Sequence, residues 1–477
     1  MKTKYILLFT TILFLINNAY SQNIRKGPYL IYPNSNTEMT VLWQLTSSTT
    51  SILSWGTTTN YGKIRAVHEY GTDHQFKHTI TELMPNTKYY YKIDFGTASL
   101  TGSFRTAPEE TQSSLKFLAY GDTRSHPEQT NNVTGRMLTE IINDPEYQTF
   151  SLHSADWVNT GLSENDWDTE FFSRTGECLN NLEFQSKIPI MGARGNHENR
   201  SSKKTDEFAS VFNKYFPYNL PNGTGNGDNM YYSFDYGAVH IIVIDQYDGD
   251  PNESSLGAEQ LEWLENDLAN TNKLWKFIIL HEPGWSASST SKEHANNIDV
   301  QQNIQPLCVQ YGVQVVFNGH NHYYSHALKD GVHHLTIGGG GAPLHTPSYM
   351  SGGVIVNAEA TYHFAKIDIN NMEATINIVR PDGTTVETIN LFVQQDIESI
   401  NSNIIVYPNP TTGVVNIILP DTTKGELSVT NIDGQSVIEK KINSNNIFID
   451  LSHCAKGVYF INIKSDKQKF TKKIVLE

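Results

Sequence analysis

The chain has little cysteine. Its 477 residues include 3, at Cys178, Cys308 and Cys454, far apart and in no C-x-x-C pair. That excludes a disulfide-stapled scaffold and a thiolate zinc cluster. One disulfide and buried free thiols both stay open, and stability must come from burial. Long apolar runs are lacking too. Residues 5–16 form one, too short and too near the start to span a bilayer. With Lys2 and Lys4 before it and Ala19-Tyr20-Ser21 after it, residues 1–21 read as a secretory signal. An exported, soluble protein with no membrane span is expected. Positive charge is also short: 35 Lys+Arg against 50 Asp+Glu give 35 − 50 = −15. This argues against nucleic acid or an anionic membrane as partner. It leaves a phosphate-bearing substrate open, because a bound metal can dominate the local field.

The length suggests two or three domains with ample core. Residues 22–110 look all-β. Met39, Val41, Trp43 and Leu45 alternate along one run, and Tyr89, Tyr91, Ile93 and Phe95 along another, with Lys92 and Asp94 opposite. Period-2 alternation predicts a small sandwich whose sheets bury one face. Residues 113–393 change character. Short apolar runs end in polar residues at Asp122, Asp156, Asp245 and His281, and another leads to Gly195-Asn196-His197-Glu198. Residues 257–270 carry Leu261, Leu264 and Leu268 at helical spacing. Strands alternating with helices predict an α/β layered domain, with its site at the carboxyl ends of the strands. Residues 394–403 read as a polar linker, and 404–477 return to short β runs.

The chemistry centres on Gly319-His320-Asn321-His322, which follows the apolar run 313–317. Imidazole nitrogen and carboxylate oxygen suit Zn, Fe and related ions. Asp122, Asp156, Asn196, His281, His320 and His322 place such donors at successive strand ends. A carboxylate shared by two ions about 3.5–4 Å apart would build a centre that polarises a phosphoryl group.

These ordered motifs resemble the calcineurin-like metallophosphoesterases, and within them the purple acid phosphatase-like branch. Lys26-Gly27-Pro28-Tyr29-Leu30, residues 84–91 and Phe104-Arg105-Thr106-Ala107-Pro108 resemble that branch's fibronectin type III-like sandwich. The resemblance implies a four-layer α/β/β/α catalytic sandwich and two metal ions, of Fe, Zn or Mn. Asp156 would bridge them. Asp122 and His322 would hold the first, and Asn196, His281 and His320 the second. His197 would protonate the leaving oxygen or stabilise the transition state, and His294 would contact phosphate. The implied reaction is hydrolysis of a phosphate monoester by metal-activated hydroxide, on a small-molecule or polymer-borne substrate. A phosphodiesterase, a sulfate-ester hydrolase and a catalytically weak binding protein are the alternatives. Two positions depart from the pattern. The places where the family completes its first metal with His or Tyr hold Arg124 and Asn159. Asn159 could offer a carbonyl oxygen. Arg124 cannot bind a cation and would either clamp a substrate oxyanion or form a structural salt bridge. The Tyr-to-iron charge transfer behind a purple colour should be absent. Glu198 would orient a ligand from behind, and residues 338–341 would form a tight turn at the site's border.

Residues 406–413, Asn431-Ile432-Asp433-Gly434, Lys456-Gly457-Val458-Tyr459-Phe460 and Lys473-Ile474-Val475-Leu476 resemble a type IX secretion sorting domain. This implies export to the cell surface or medium by the type IX machinery.

Overall fold

Runs rich in Val, Ile, Phe and Tyr build every sheet, because β-branched and aromatic side chains suit a pleated, half-buried surface. The computed structural model describes residues 24–71, 73–199, 206–218, 231–248, 254–288, 294–348, 354–393, 405–419, 425–431, 434–465 and 469–477. The expected signal segment 1–21 and the expected linker 394–403 lie outside the described residues. The chain divides into two units, one ending at Phe392 and one beginning at Val393.

The first unit opens with two four-stranded sheets. One runs in the order Ile24–Ile31, Met39–Leu45, Gln75–Ile80, Glu69–Tyr70; the other Lys63–Val67, Ser51–Gly56, Lys88–Phe95, Ala98–Arg105. Between them lie Val41, Trp43, Leu53, Phe76, Tyr91, Ile93 and Phe104, with Trp43 stacked on Phe76 at 5.3 Å. The expected alternation holds in Lys88–Phe95, where Tyr90, Lys92 and Asp94 are half-buried. It fails in Met39–Leu45, which is buried at every position. The second face of that sheet is met by residues 164–172 and 214–216. Tyr29 lies 4.9 Å from Phe172 and 5.8 Å from Phe216, ring to ring. The fully buried Lys26 donates to Gln44 Oε1 at 2.9 Å and pairs with Asp168 and Glu164.

Residues 114–392 build two further sheets. A six-stranded sheet runs Ile190–Gly192, Ser151–His153, Ser114–Tyr120, Phe364–Asn370, Glu373–Val379, Thr385–Phe392, its first three strands parallel. A seven-stranded sheet runs Tyr232–Tyr236, Val239–Val243, Trp275–Ile279, Val315–Asn318, Val332–Ile337, Tyr324–Lys329, Ile355–Glu359. They meet face to face through Phe117 and Phe277, whose rings are 5.7 Å apart, and through Phe150 and Phe234. Helices cover the outer faces. Pro127–Asn143 and Leu179–Gln185 lie on the first sheet's side. Ala258–Asn270 buries Leu264 and Leu268 against Ile242, Ile278 and Val316 of the second. The layers are therefore α/β/β/α.

The second unit is all-β, with sheets Ile405–Tyr407, Val414–Ile418, Asn446–Asp450 and Ser436–Ile442, Gly425–Asn431, Gly457–Ser465, Lys469–Leu476. Its core includes Val415, Ile417, Leu427, Ile449, Ile461 and Ile474. All three cysteines are free. No helix of the described residues is long and apolar enough to cross a membrane.

Candidate metal centre

Each donor sits just beyond a strand end. Asp122 follows Ser114–Tyr120, Asp156 follows Ser151–His153, Asn196 and His197 open the short helix Asn196–Asn199, His281 follows Trp275–Ile279, and His320 and His322 follow Val315–Asn318. The backbone turns sharply at three of these points. Asp122 (φ 56°), Ala155 (φ 78°) with Asp156 (φ 52°), and His320 (φ 66°) are all left-handed. For residues with a Cβ this costs on the order of 1–3 kcal/mol each, and it persists only where the surroundings enforce it. Here they do: Asp122 N donates to Ala155 O at 2.9 Å and Thr123 N to Asp156 O at 3.0 Å. Two glycines allow the approach. A Cβ on Gly195 would lie 2.3 Å from Asp156 Oδ1, and one on Gly319 2.2 Å from Asp122 Oδ2.

Asp156, Asn196, His281 and His320 converge on one point. His281 Nε2 is 3.1 Å from Asp156 Oδ1 and 2.9 Å from Asn196 Oδ1, and His320 Nδ1 is 3.1 Å from Asn196 Oδ1. Ligands held at about 2.1 Å in octahedral geometry are separated by about 3.0 Å, so this set fits a metal ion. His281 Nδ1 donates to Ser154 O at 2.8 Å, which leaves the Nε2 lone pair turned to the cluster. Burial works against a charged His281, but Asp156 and Asp122 outweigh it and raise the ring to about 10. The carboxylates call for positive charge at this point.

Asp122, Asp156 and His322 form a second donor group, sharing Asp156 with the first. His322 Nε2 is 3.6 Å from Asp122 Oδ1, and His322 Nδ1 donates to Pro343 O at 2.8 Å. Asp122 Oδ1 accepts from His320 N at 2.9 Å, while Oδ2 is buried without a partner. Burial raises Asp122 well above the usual carboxylate range. Arg124 crowds this group: its Nη2 lies 3.4 Å from His322 Nε2 and its Nε 3.5 Å from Asp156 Oδ2. Asn159 is exposed and meets the site through its backbone. Its N–H donates to Glu170 at 2.8 Å, and its carbonyl oxygen accepts from His197 Nδ1 at 2.6 Å. Its side-chain amide makes no hydrogen bond to the cluster among the described residues.

Around the donors stands a supporting layer. Glu198, fully buried, accepts from the backbone N–H groups of Asp156, Trp157, Val158 and Gly195 at 2.9–3.4 Å. His197 Nε2 is 3.7 Å from Asp156 Oδ2. His294, half-buried, comes within 4.9 Å of His320, ring to ring. Three contributors escaped the sequence reading. Glu170 accepts from Ser125 N at 2.7 Å as well as from Asn159 N. His345 stacks on His322 at 4.1 Å and lies 4.6 Å from His294. Ser286 donates to His294 O at 2.6 Å and accepts from Asn321 Nδ2 at 3.0 Å. None stands at a strand end. Glycines 338–341 offered the one hint, since that stretch meets the site's backbone (Gly340 N to Gly121 O, 2.8 Å) and leads to His345. Asp245, a strand-end carboxylate, is buried against Arg194 at 2.6 Å and stays outside the cluster.

Residues 115–324 match the calcineurin-like phosphoesterase family, residues 26–106 the purple acid phosphatase N-terminal domain, and residues 405–477 the secretion system C-terminal sorting domain. The chain is 29% identical over 276 residues to probable purple acid phosphatase 20 of Arabidopsis thaliana, covering 55% of this chain and 59% of that one. It is 27% identical over 270 residues to purple acid phosphatase 15 of the same plant, covering 52% and 49%. It thus spans about half to three-fifths of the length of these relatives. In fold it is similar to the purple acid phosphatase PPD1 from yellow lupin (Lupinus luteus) seeds, with TM-score 0.60, 17% identity, and 77% and 74% of the two chains covered. The C-terminal match supports secretion or cell-surface export. Residues 115–324 are thus a calcineurin-like phosphoesterase domain, preceded at 26–106 by a purple acid phosphatase N-terminal domain and followed at 405–477 by a secretion sorting domain.

Proposed function

We propose that this chain is an exported, metal-dependent hydrolase of phosphate monoesters, acting on small-molecule or polymer-borne organic phosphate. The observation that carries this is the convergence of Asp156, Asn196, His281 and His320 at metal-ligand spacing. An ion of the Zn, Mn or Fe class held there supplies Lewis-acid polarisation of a phosphoryl oxygen and a water of lowered pKa. The chain's own residues do the rest. His197 Nδ1 is committed as donor to Asn159 O, so its Nε2 faces the centre and carries a proton only when the ring is charged. That Nε2 lies 3.7 Å from Asp156 Oδ2. His197 is therefore placed to deliver that proton to the leaving oxygen. Arg124 and His294 flank the same point and would hold substrate oxyanions. In this reading residues 1–21 direct export, 22–110 form the fibronectin type III-like sandwich, 113–393 the catalytic domain, 394–403 a linker, and 404–477 the segment taken by the type IX machinery.

The test is turnover of p-nitrophenyl phosphate, its bis-ester and the sulfate analogue, with Zn, Mn or Fe supplied. The monoester should turn over fastest. Preference for the bis-ester would make the chain a phosphodiesterase. No turnover of any of them by metal-loaded protein would refute the hydrolase.

A further inference from the structure

We infer that Arg124 takes the place of a second metal ion: the chain holds one ion tightly, among Asp156, Asn196, His281 and His320, and the guanidinium supplies the positive charge beside Asp122 and His322. The inference uses the metal site of the proposed function but does not need the substrate assigned there.

The two donor groups are not equivalent. In the first, His281 Nε2, Asp156 Oδ1, Asn196 Oδ1 and His320 Nδ1 stand 2.9–3.1 Å from one another along His281–Asp156, His281–Asn196 and His320–Asn196. In the second, the lone pairs meet Arg124. His322 can ligate only through Nε2, because Nδ1 is spent on Pro343 O. Arg124 Nη2 donates to that Nε2 at 3.4 Å. Asp156 Oδ1 is engaged by His281 and by the backbone N–H of His197, so Oδ2 is the oxygen left for a bridge. Arg124 Nε stands 3.5 Å from it. One guanidinium thus faces both atoms that an ion on this side would share. Arginine has no lone pair to offer a metal and keeps its charge at any physiological pH. An ion seated about 2.1 Å from His322 Nε2 and Asp156 Oδ2 would press against a fixed positive charge.

Arg124 is also built in rather than draped over the site. Its side chain is 17% exposed. Nη1 donates to Ser125 Oγ at 3.3 Å, and the turn beneath is braced by Glu170, which accepts from Ser125 N and Asn159 N. His322 is backed by the stacked ring of His345. Both sides of the Arg124–His322 contact are therefore held. Arg124 Nε, which meets Asp156 Oδ2 as an ion pair and not a hydrogen bond, and Asp122 Oδ2, which accepts no hydrogen bond, are both buried at this place. A guanidinium places positive charge beside these carboxylates without needing ligands, and it keeps N–H donors for a substrate oxyanion.

The experiment counts metal. Full-length protein is loaded with Zn²⁺ or Mn²⁺, dialysed against metal-free buffer and measured for ions per chain, with calorimetric titration alongside. Wild type should retain one. Arg124→His, which exchanges the cation for a neutral donor, should retain two. His322→Ala should stay at one, and His320→Ala should fall to none. Two tightly held ions in wild type, none in wild type, or an ion lost on His322→Ala would each overturn the inference, as would a folded Arg124→His that stays at one. Should Arg124→His fail to fold, the wild-type and His322→Ala counts decide. One ion without phosphate-ester turnover would sink the hydrolase reading and leave this one standing.

Discussion

Glu198→Gln is the sharpest probe of how the centre is held. Glu198 Oε2 accepts from Asp156 N at 3.1 Å and Gly195 N at 3.0 Å, and Oε1 from Trp157 N at 2.9 Å and Val158 N at 3.4 Å. All four partners are donors, so the arrangement requires two bare oxygens. Burial, then the charge of Asp156, push this carboxyl up, to about 8 in the chain alone. A cation held by Asp156 acts in the opposite direction and keeps it ionised in the loaded protein. Glutamine has the same shape, but its NH₂ would point hydrogens at two of the N–H groups. Each buried donor left without an acceptor costs roughly 1–3 kcal/mol, so two cost about 2–6 kcal/mol. The same change loosens the turn that aims Asp156, which should weaken metal binding by roughly 10–100-fold. Urea unfolding of the metal-loaded variant, with calorimetric titration of Zn²⁺, measures both. A variant within about 0.5 kcal/mol of wild type and with unchanged metal affinity would mean the carboxyl is protonated in place, and the hydrogen-bond argument would be wrong.

Other outcomes follow from the same geometry. His197→Asn should lower kcat by roughly 10²–10⁴-fold while metal content stays at the wild-type value; equal losses of both would make His197 a structural residue. EDTA should abolish turnover, and added Zn²⁺ or Mn²⁺ should restore it; activity that survives exhaustive chelation contradicts a metal centre. His240 donates to Asp235 and Asp267, each at 2.7 Å, and these outweigh burial to raise it from 6.5 to about 9. Its folded pKa lies above the unfolded one, so its contribution of about 3 kcal/mol is present in full below pH 6.5 and lost as pH rises through 9. Urea unfolding across that window should show the loss in wild type and a flatter profile in His240→Gln.

Much of the site could be read from the sequence because donors at strand ends keep a local signature, an apolar run closed by a polar residue. Asp122, Asp156, His281, His320 and His322 all announce themselves this way, and the structure brings them together with Asn196. What escaped is non-local. Glu170 acts through a carboxylate in the middle of the chain with no pattern around it. His345 reaches His322 only because the stretch 338–342 crosses the strand-end turn at Gly121. The left-handed backbone at Asp156 and His320 is imposed by hydrogen bonds to other turns, which no propensity reports. Arg124 was legible as a departure, but its direction was not, since one side chain could have turned to solvent, to a carboxylate or to His322. The same limit explains Met39–Leu45. Its alternation predicts one buried face; the covering of the other depends on aromatic residues more than a hundred positions away.

Lys26 carries a consequence for how this chain can change through recombination. The ammonium is fully buried and compensated by Gln44 from the sandwich and by Glu164 and Asp168 from the catalytic region, with Tyr215 facing it at 4.8 Å. Exchanging the sandwich for one without this lysine would leave Glu164 and Asp168, 36% and 30% exposed, short of a cation. An exchange that respects this joint would move the sandwich and the catalytic region together, whereas the unit that begins at Val393 has its own core.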